Sequence, residues 1–221
     1  MFKIISANLE QKFLLANLEI KAIIQRSYCV PNVRFQTIFD RHAKRLQKER
    51  AALDPDVGLF DYIKEEVGYR LSDRIFDIKR DFMKAADIGC QRGFISRHVL
   101  AESVPHLTLL DSSPTMLKQA QGTPGMELVK LEMDEEFLKF PENTFDIMLS
   151  SLCLHWVNDL PGCLDRIKHC LKPDGVFIAS IFGEDTLYQL RSSLQLAEME
   201  RKGGVGPHIS PFTRIRDIGA L

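Results

Sequence analysis

From Met83 onward, apolar and polar positions alternate in blocks with the rhythm of an α/β protein. Short apolar runs at 84–88, 106–110, 127–131, 145–150 and 176–181 predict five strands. Segments with helical spacing stand between them, at 94–102, 113–120 and 160–171. Ser113 and Pro114 supply an N-cap and a first-turn proline, and Pro173-Asp174-Gly175 predicts a turn into the fifth strand. Strands alternating with helices at this spacing imply a parallel, doubly wound sheet. A further helix is predicted over 185–201, residues 202–207 read as a flexible break, and no strand pattern follows.

Ahead of the first strand, Phe60, Ile63, Val67, Leu71, Ile75 and Ile78 repeat near the helical period, predicting a helix over 59–78 that covers part of the sheet and closes over a ligand. Residues 40–50 form a basic run. It reads as a solvated helix and loop, since a nucleic-acid patch would interleave aromatics. Over residues 1–30, Phe2, Ile5, Leu9, Phe13, Ala16, Ile20, Ile23 and Ile24 share one helical face. This suits either a mitochondrial targeting peptide or a plain amphipathic helix. The single arginine and the acids Glu10 and Glu19 weigh against the first, and the pattern leaves both open. The chain thus divides into an N-terminal segment (1–37), a helical cover (38–80) and a cofactor-binding α/β domain (81–221).

Length and charge narrow the class. At 221 residues the chain fits one ordinary domain, and a net charge of -1 gives no reason to expect nucleic acid or an anionic membrane as the main partner. Five cysteines without a C-x-x-C pair argue for a reducing compartment and against a disulfide framework or structural zinc. No apolar run reaches the roughly 18 residues of a membrane-spanning helix.

The chemistry concentrates in Asp87-Ile88-Gly89-Cys90-Gln91-Arg92-Gly93, followed by Leu109-Leu110-Asp111. An acid closes one strand, two glycines bracket a loop, and a second acid closes the next strand. In doubly wound proteins this arrangement binds a nucleoside, the second acid accepting from ribose hydroxyls. The glycines are four apart rather than spaced G-x-G-x-x-G, and an acid precedes them. Such a site suits a ligand carrying an ammonium and a sulfonium, S-adenosylmethionine, over a dinucleotide. Asp87 is the candidate for the methionine ammonium, Gly89 and Gly93 for close approach, and Asp111 for the ribose, with Ser112 lining the adenosine. Asp134 is the candidate for the adenine amino group and Glu135 follows it; Cys90 and Ser151 complete the cofactor set. Asp146 reads as structural. His155, just past the fourth strand, is the candidate general base by position and pKa range, although a histidine beside Trp156 equally suits packing or substrate positioning. The other histidines show no metal-ligand spacing, so no metal site is predicted.

These motifs, together with 134–138, 141–146 and 171–175, resemble the class I S-adenosylmethionine-dependent methyltransferase superfamily. The stretches 60–68, 151–160, 183–188 and 207–212 resemble more narrowly the methyltransferase-type family of mitochondrial complex I assembly factors known as assembly factor five. The resemblance covers about 38–221. It implies a Rossmann-like fold, S-adenosylmethionine as cofactor, and a location in the mitochondrial matrix, peripheral on the inner membrane. It also implies hydroxylation or methylation of an arginine in a core subunit of complex I. Its alternatives are a carboxyl methyltransferase of the biotin-synthesis type and a non-catalytic assembly chaperone with a degenerate pocket. Two departures bear on this. Gln91 stands where the family has glycine. The last two strands of the fold, one of them antiparallel, have no counterpart after 181, so the chain reads as truncated there, with the edge of the fifth strand exposed.

Overall fold

A computed structural model describes residues 3–7 (backbone only), 37–204, 206 and 210–220. Its sheet contains β1 (Lys3–Ala7), β2 (Lys84–Ile88), β3 (His106–Asp111), β4 (Glu127–Glu132), β5 (Phe145–Ser151) and β6 (Leu171–Ile181). The spatial order is β1-β6-β5-β2-β3-β4. The five strands from β2 to β6 run parallel, and the reversal of order between β2 and β5 creates the crevice where ligands bind in open α/β sheets.

Alternate residues dictate which helices cover which face. Leu107, Leu109, Ile147 and Leu149 join a core cluster with Leu71 and Ile75 of α3 (Tyr62–Asp77). Leu110 and Met148 point the other way, to Cys163 and Ile167 of α5 (Leu160–Cys170). Each large aliphatic side chain buried in this way contributes roughly 1.5–3 kcal/mol. Ser113 caps α4 (Pro114–Gln119) through its hydroxyl at 3.1 Å, as the sequence predicts. Asp146 is structural: it accepts from the Lys84 N–H at 2.9 Å and from Lys172 at 2.8 Å.

Several local expectations need correction. Residues 94–102 form a succession of turns, not a continuous helix; bonds reaching back three residues (His98 N–H to Ile95 O) mix with bonds reaching back four (Val99 N–H to Ile95 O). The Pro173-Asp174-Gly175 turn lies inside β6, where the register jumps from Phe145–Leu171 to Ile147–Val176 and Asp174 takes a φ of 62°. The helix expected at 185–201 is α6 (Tyr188–Lys202). Finally, Lys3–Ala7 is a strand and not helix: it pairs antiparallel with β6, so the edge expected to lie open is bonded. The remainder of the predicted N-terminal helix, residues 1–2 and 8–30, lies outside the described residues.

The predicted helix at 59–78 is two pieces, α2 (Val57–Phe60) and α3. Ion pairs from Arg92 to Asp61 (2.5 Å) and from Arg97 and His98 to Glu65 (3.0 and 2.8 Å) fasten α3 to the turns after the glycine loop. Before α2 comes α1 (Arg41–Leu53), capped by Asp40, whose carboxylate accepts from Ala43 N–H at 3.0 Å. Glu49 docks this helix on the Ser113 and Thr115 hydroxyls, and Gln119 donates to Ala52 O at 2.8 Å. One face of the basic run, with Arg41, Lys44 and Lys48, therefore lies across the carboxyl ends of the strands, while His42, Arg45 and Arg50 stay exposed.

Candidate cofactor and acceptor site

Asp87 and Asp111 close the neighbouring strands β2 and β3, paired so that Asp87 sits opposite Leu109. Both acids are fully buried. Neither carboxylate oxygen of Asp87 has a partner among the described residues. Burial, and then the nearby Asp111, push its pKa up to about 8. Such a group needs either a proton or a cation.

Asp111 is well supplied by comparison. Its carboxylate accepts from the Gln91 N–H at 3.0 Å and the Ser113 N–H at 2.8 Å. The ammonium of Lys48 adds contacts at 3.2 Å to each oxygen, reaches Ser112 Oγ at 3.4 Å, and pairs with Glu135. Arg41 completes the cluster. Its Nη2 lies 2.7 Å from Asp134 and also pairs with Glu135, Nε lies 3.2 Å from Asp134, and Nη1 donates to Trp156 O at 3.1 Å. Burial works against the charge on Lys48, but Glu135 and Asp111 outweigh it and hold the ammonium above its usual range. Burial would raise the pKa of Glu135; Lys48 and Arg41 reverse that and lower it. At Asp111 burial dominates and the pKa rises.

The glycine loop is shaped by packing. Gly89 has φ 67°, and a Cβ there would meet Cys153 Sγ at 2.2 Å, so the loop can nest against the segment after β5 only with glycine. Gly93 (φ 78°) would strike Ser96 and Gln121 O. Cys90 is buried, its N–H on Leu110 O. Gln91 adopts φ 53°, a left-handed conformation that costs a residue with a side chain about 1–2 kcal/mol.

The geometry brings Asp87, Gly89, Cys90, Asp111, Ser112, Asp134 and Glu135 to one end of the sheet. Ser151 is held by Ser180 (3.4 Å) on β6. His155 packs on Trp156 and Phe182, with ring centroids 5.0 and 4.8 Å away. Burial and then the Lys44 charge lower its pKa to about 4, so it is neutral at pH 7. Sequence reading missed Arg41, Lys44 and Lys48. The available signal was their spacing of three and four, which places them on one helical face.

A doubly wound sheet with acids on adjacent strand tips defines a Rossmann-like domain of the class I methyltransferase type. Residues 86–179 match the family described as methyltransferase domain. The fold is also that of the N-methyltransferase NodS from Bradyrhizobium japonicum, solved with S-adenosyl-L-homocysteine; that protein is 17% identical, with a TM-score of 0.53 over 68% of this chain and 85% of its own. More particularly, the chain is 55% identical over 188 residues to the mitochondrial arginine-hydroxylase NDUFAF5 of Rattus norvegicus and 53% identical to that of Homo sapiens. Each match takes in 85% of this chain and 54% of the relative, so the chain spans about half the length of the relatives it matches.

Proposed function

We propose that this chain binds S-adenosylmethionine at the tips of β2 and β3 and modifies an arginine side chain of a protein during mitochondrial complex I assembly. The observation that carries the cofactor is Asp87, a buried acid whose two oxygens have no partner among the described residues, beside an Asp111 already oriented by two backbone N–H groups. A ligand with a cationic amino acid end and a ribose suits that pair. Asp87 would take the ammonium, Asp111 with Ser112 the ribose, and Asp134 with Glu135 the adenine side. Bound there, the sulfonium supplies an electrophilic methyl carbon. The chain's own part is alignment, which is worth roughly 7–11 kcal/mol in well-oriented systems. His155, neutral at pH 7, serves better to position the acceptor than to carry charge.

The relatives' name supports arginine as the target and the mitochondrion as the place of action. A bound sulfonium by itself accounts for methylation, whereas hydroxylation would further require a two-electron oxidant and an oxygen donor. Calorimetric titration with S-adenosylmethionine tests the cofactor: saturable heat is expected for the wild type, with affinity weakened at least tenfold in Asp111→Asn. No heat at millimolar ligand would remove the proposal. Mass spectrometry of a complex I core subunit after incubation then separates the chemistries, one added oxygen marking hydroxylation and one added methylene marking methylation.

A further inference from the structure

Arg41, Lys44 and Lys48 share one face of α1, and that face occupies two sites at once. Lys48 and Arg41 fill the acid cleft. Lys44 places its ammonium 3.1 Å from the centroid of the Trp156 ring, well inside the roughly 6 Å reach of a cation–π contact. Phe39 meets that ring edge-on at 5.3 Å, and the tilted His155 ring lies 5.0 Å from it. Arg41 bridges the two sites, with Nη1 on the Trp156 carbonyl and Nη2 on Asp134. The aromatic face therefore adjoins the cofactor cleft, where an acceptor must lie for transfer.

The two holds differ in kind. Lys48 sits on Asp111 and Glu135, whose oxygens a ribose and adenine would need, so cofactor and Lys48 compete for the same atoms. Lys44 has only partial burial and a ring beneath it; burial, and then repulsion from Arg41, lower its pKa. A guanidinium is flat, less strongly hydrated than an ammonium, and stacks on aromatic faces, which makes it the better guest for this ring.

We propose that the Trp156 face is the docking site for the guanidinium of the acceptor, that Lys44 is its resting occupant, and that cofactor entry uncovers it by displacing α1. Binding is then ordered, cofactor first and acceptor second. This rests on the S-adenosylmethionine reading above, and the experiment separates the two.

Trp156 is the single tryptophan of the chain, so its emission reports whether Lys44 leaves. S-Adenosylmethionine is titrated into the full chain, followed in parallel by calorimetry and by tryptophan emission; N-ethylguanidinium is then titrated with and without cofactor. The emission change should share the midpoint of the heat. N-Ethylguanidinium should perturb Trp156 at concentrations at least tenfold lower when cofactor is present, and Lys44→Ala should show the lower concentration without cofactor. Heat without an emission change, or guanidinium binding indifferent to cofactor, overturns the proposal while leaving the cofactor site intact. Absence of heat overturns the cofactor reading. The platform is then judged on Lys44→Ala alone, and it falls if guanidinium binds that variant, or Lys44→Gln, no more tightly than the wild type.

Discussion

Asp87 shows how one residue can tie cofactor affinity to pH. Its folded pKa of about 8 lies far above the ordinary carboxylate value, because burial and then Asp111 penalise the charge. Folded protein keeps this proton while unfolded chain releases it. The contribution to stability is thus complete below pH 4 and is lost as pH rises toward 8. Cofactor binding has the opposite slope. An ammonium needs the ionised carboxylate, so below pH 8 the ligand must expel the proton. Affinity for S-adenosylmethionine should climb from pH 6 toward 8 by up to about tenfold per pH unit. Calorimetry in buffers of differing ionisation enthalpy checks this by counting the proton released. Asp87→Asn should flatten the profile, and a flat profile in the wild type would rule the role out. The acids themselves were legible in the sequence because strand ends mark them. Asp87's isolation was not, since it depends on Gln91, Ser113 and Lys48 all turning to Asp111 instead.

Helix α3 approaches the turns after the glycine loop as closely as backbone allows. A Cβ on Gly68 would lie 2.3 Å from Phe94 O and 2.7 Å from its carbonyl carbon, neither of which can rotate away. Alanine is the better helix former by about 1 kcal/mol, but overpacking costs about 1–3 kcal/mol and should win here. Gly68→Ala should therefore lower the denaturant midpoint, with a net loss of about 1–2 kcal/mol. Gly58→Ala, with nothing within 4 Å of its Cβ, should be neutral or gain up to about 1 kcal/mol. Equal responses would mean that the close approach does not persist in solution. The period of α3 was readable because apolar side chains mark its buried face. The same rule failed for α1, whose buried face is cationic: Arg41 and Lys48 are inside because their partners are Asp111, Asp134 and Glu135, brought from two distant parts of the chain. Pattern reading equates charge with solvent, and only the folded sheet supplies the opposite charge.

Across the molecule, the cleft holds more negative charge than it can keep without a cation, and α1 supplies one in the cofactor's absence. Lys48→Met should leave Asp111 buried without a cation and Glu135 with Arg41 alone, and removing one partner of a buried pair costs about 3–5 kcal/mol. In the wild type, the depressed pKa of Glu135 contributes stability above the ordinary carboxylate range that is lost as pH falls through the folded value. The variant loses the part of that contribution that Lys48 supplies, so the difference in stability between the two proteins should be largest near pH 7 and shrink in acid. Ligand reverses the ranking of the response. S-Adenosylmethionine has to displace Lys48 from the wild type but meets open acids in the variant, where its ribose hydroxyls and adenine amino group donate to them. Tighter binding to the folded state raises the unfolding temperature further. The shift at a fixed cofactor concentration should therefore be larger in Lys48→Met, measured by thermal unfolding at pH 7.5. A smaller shift would make Lys48 a ligand of the cofactor, and α1 part of its pocket instead of its competitor.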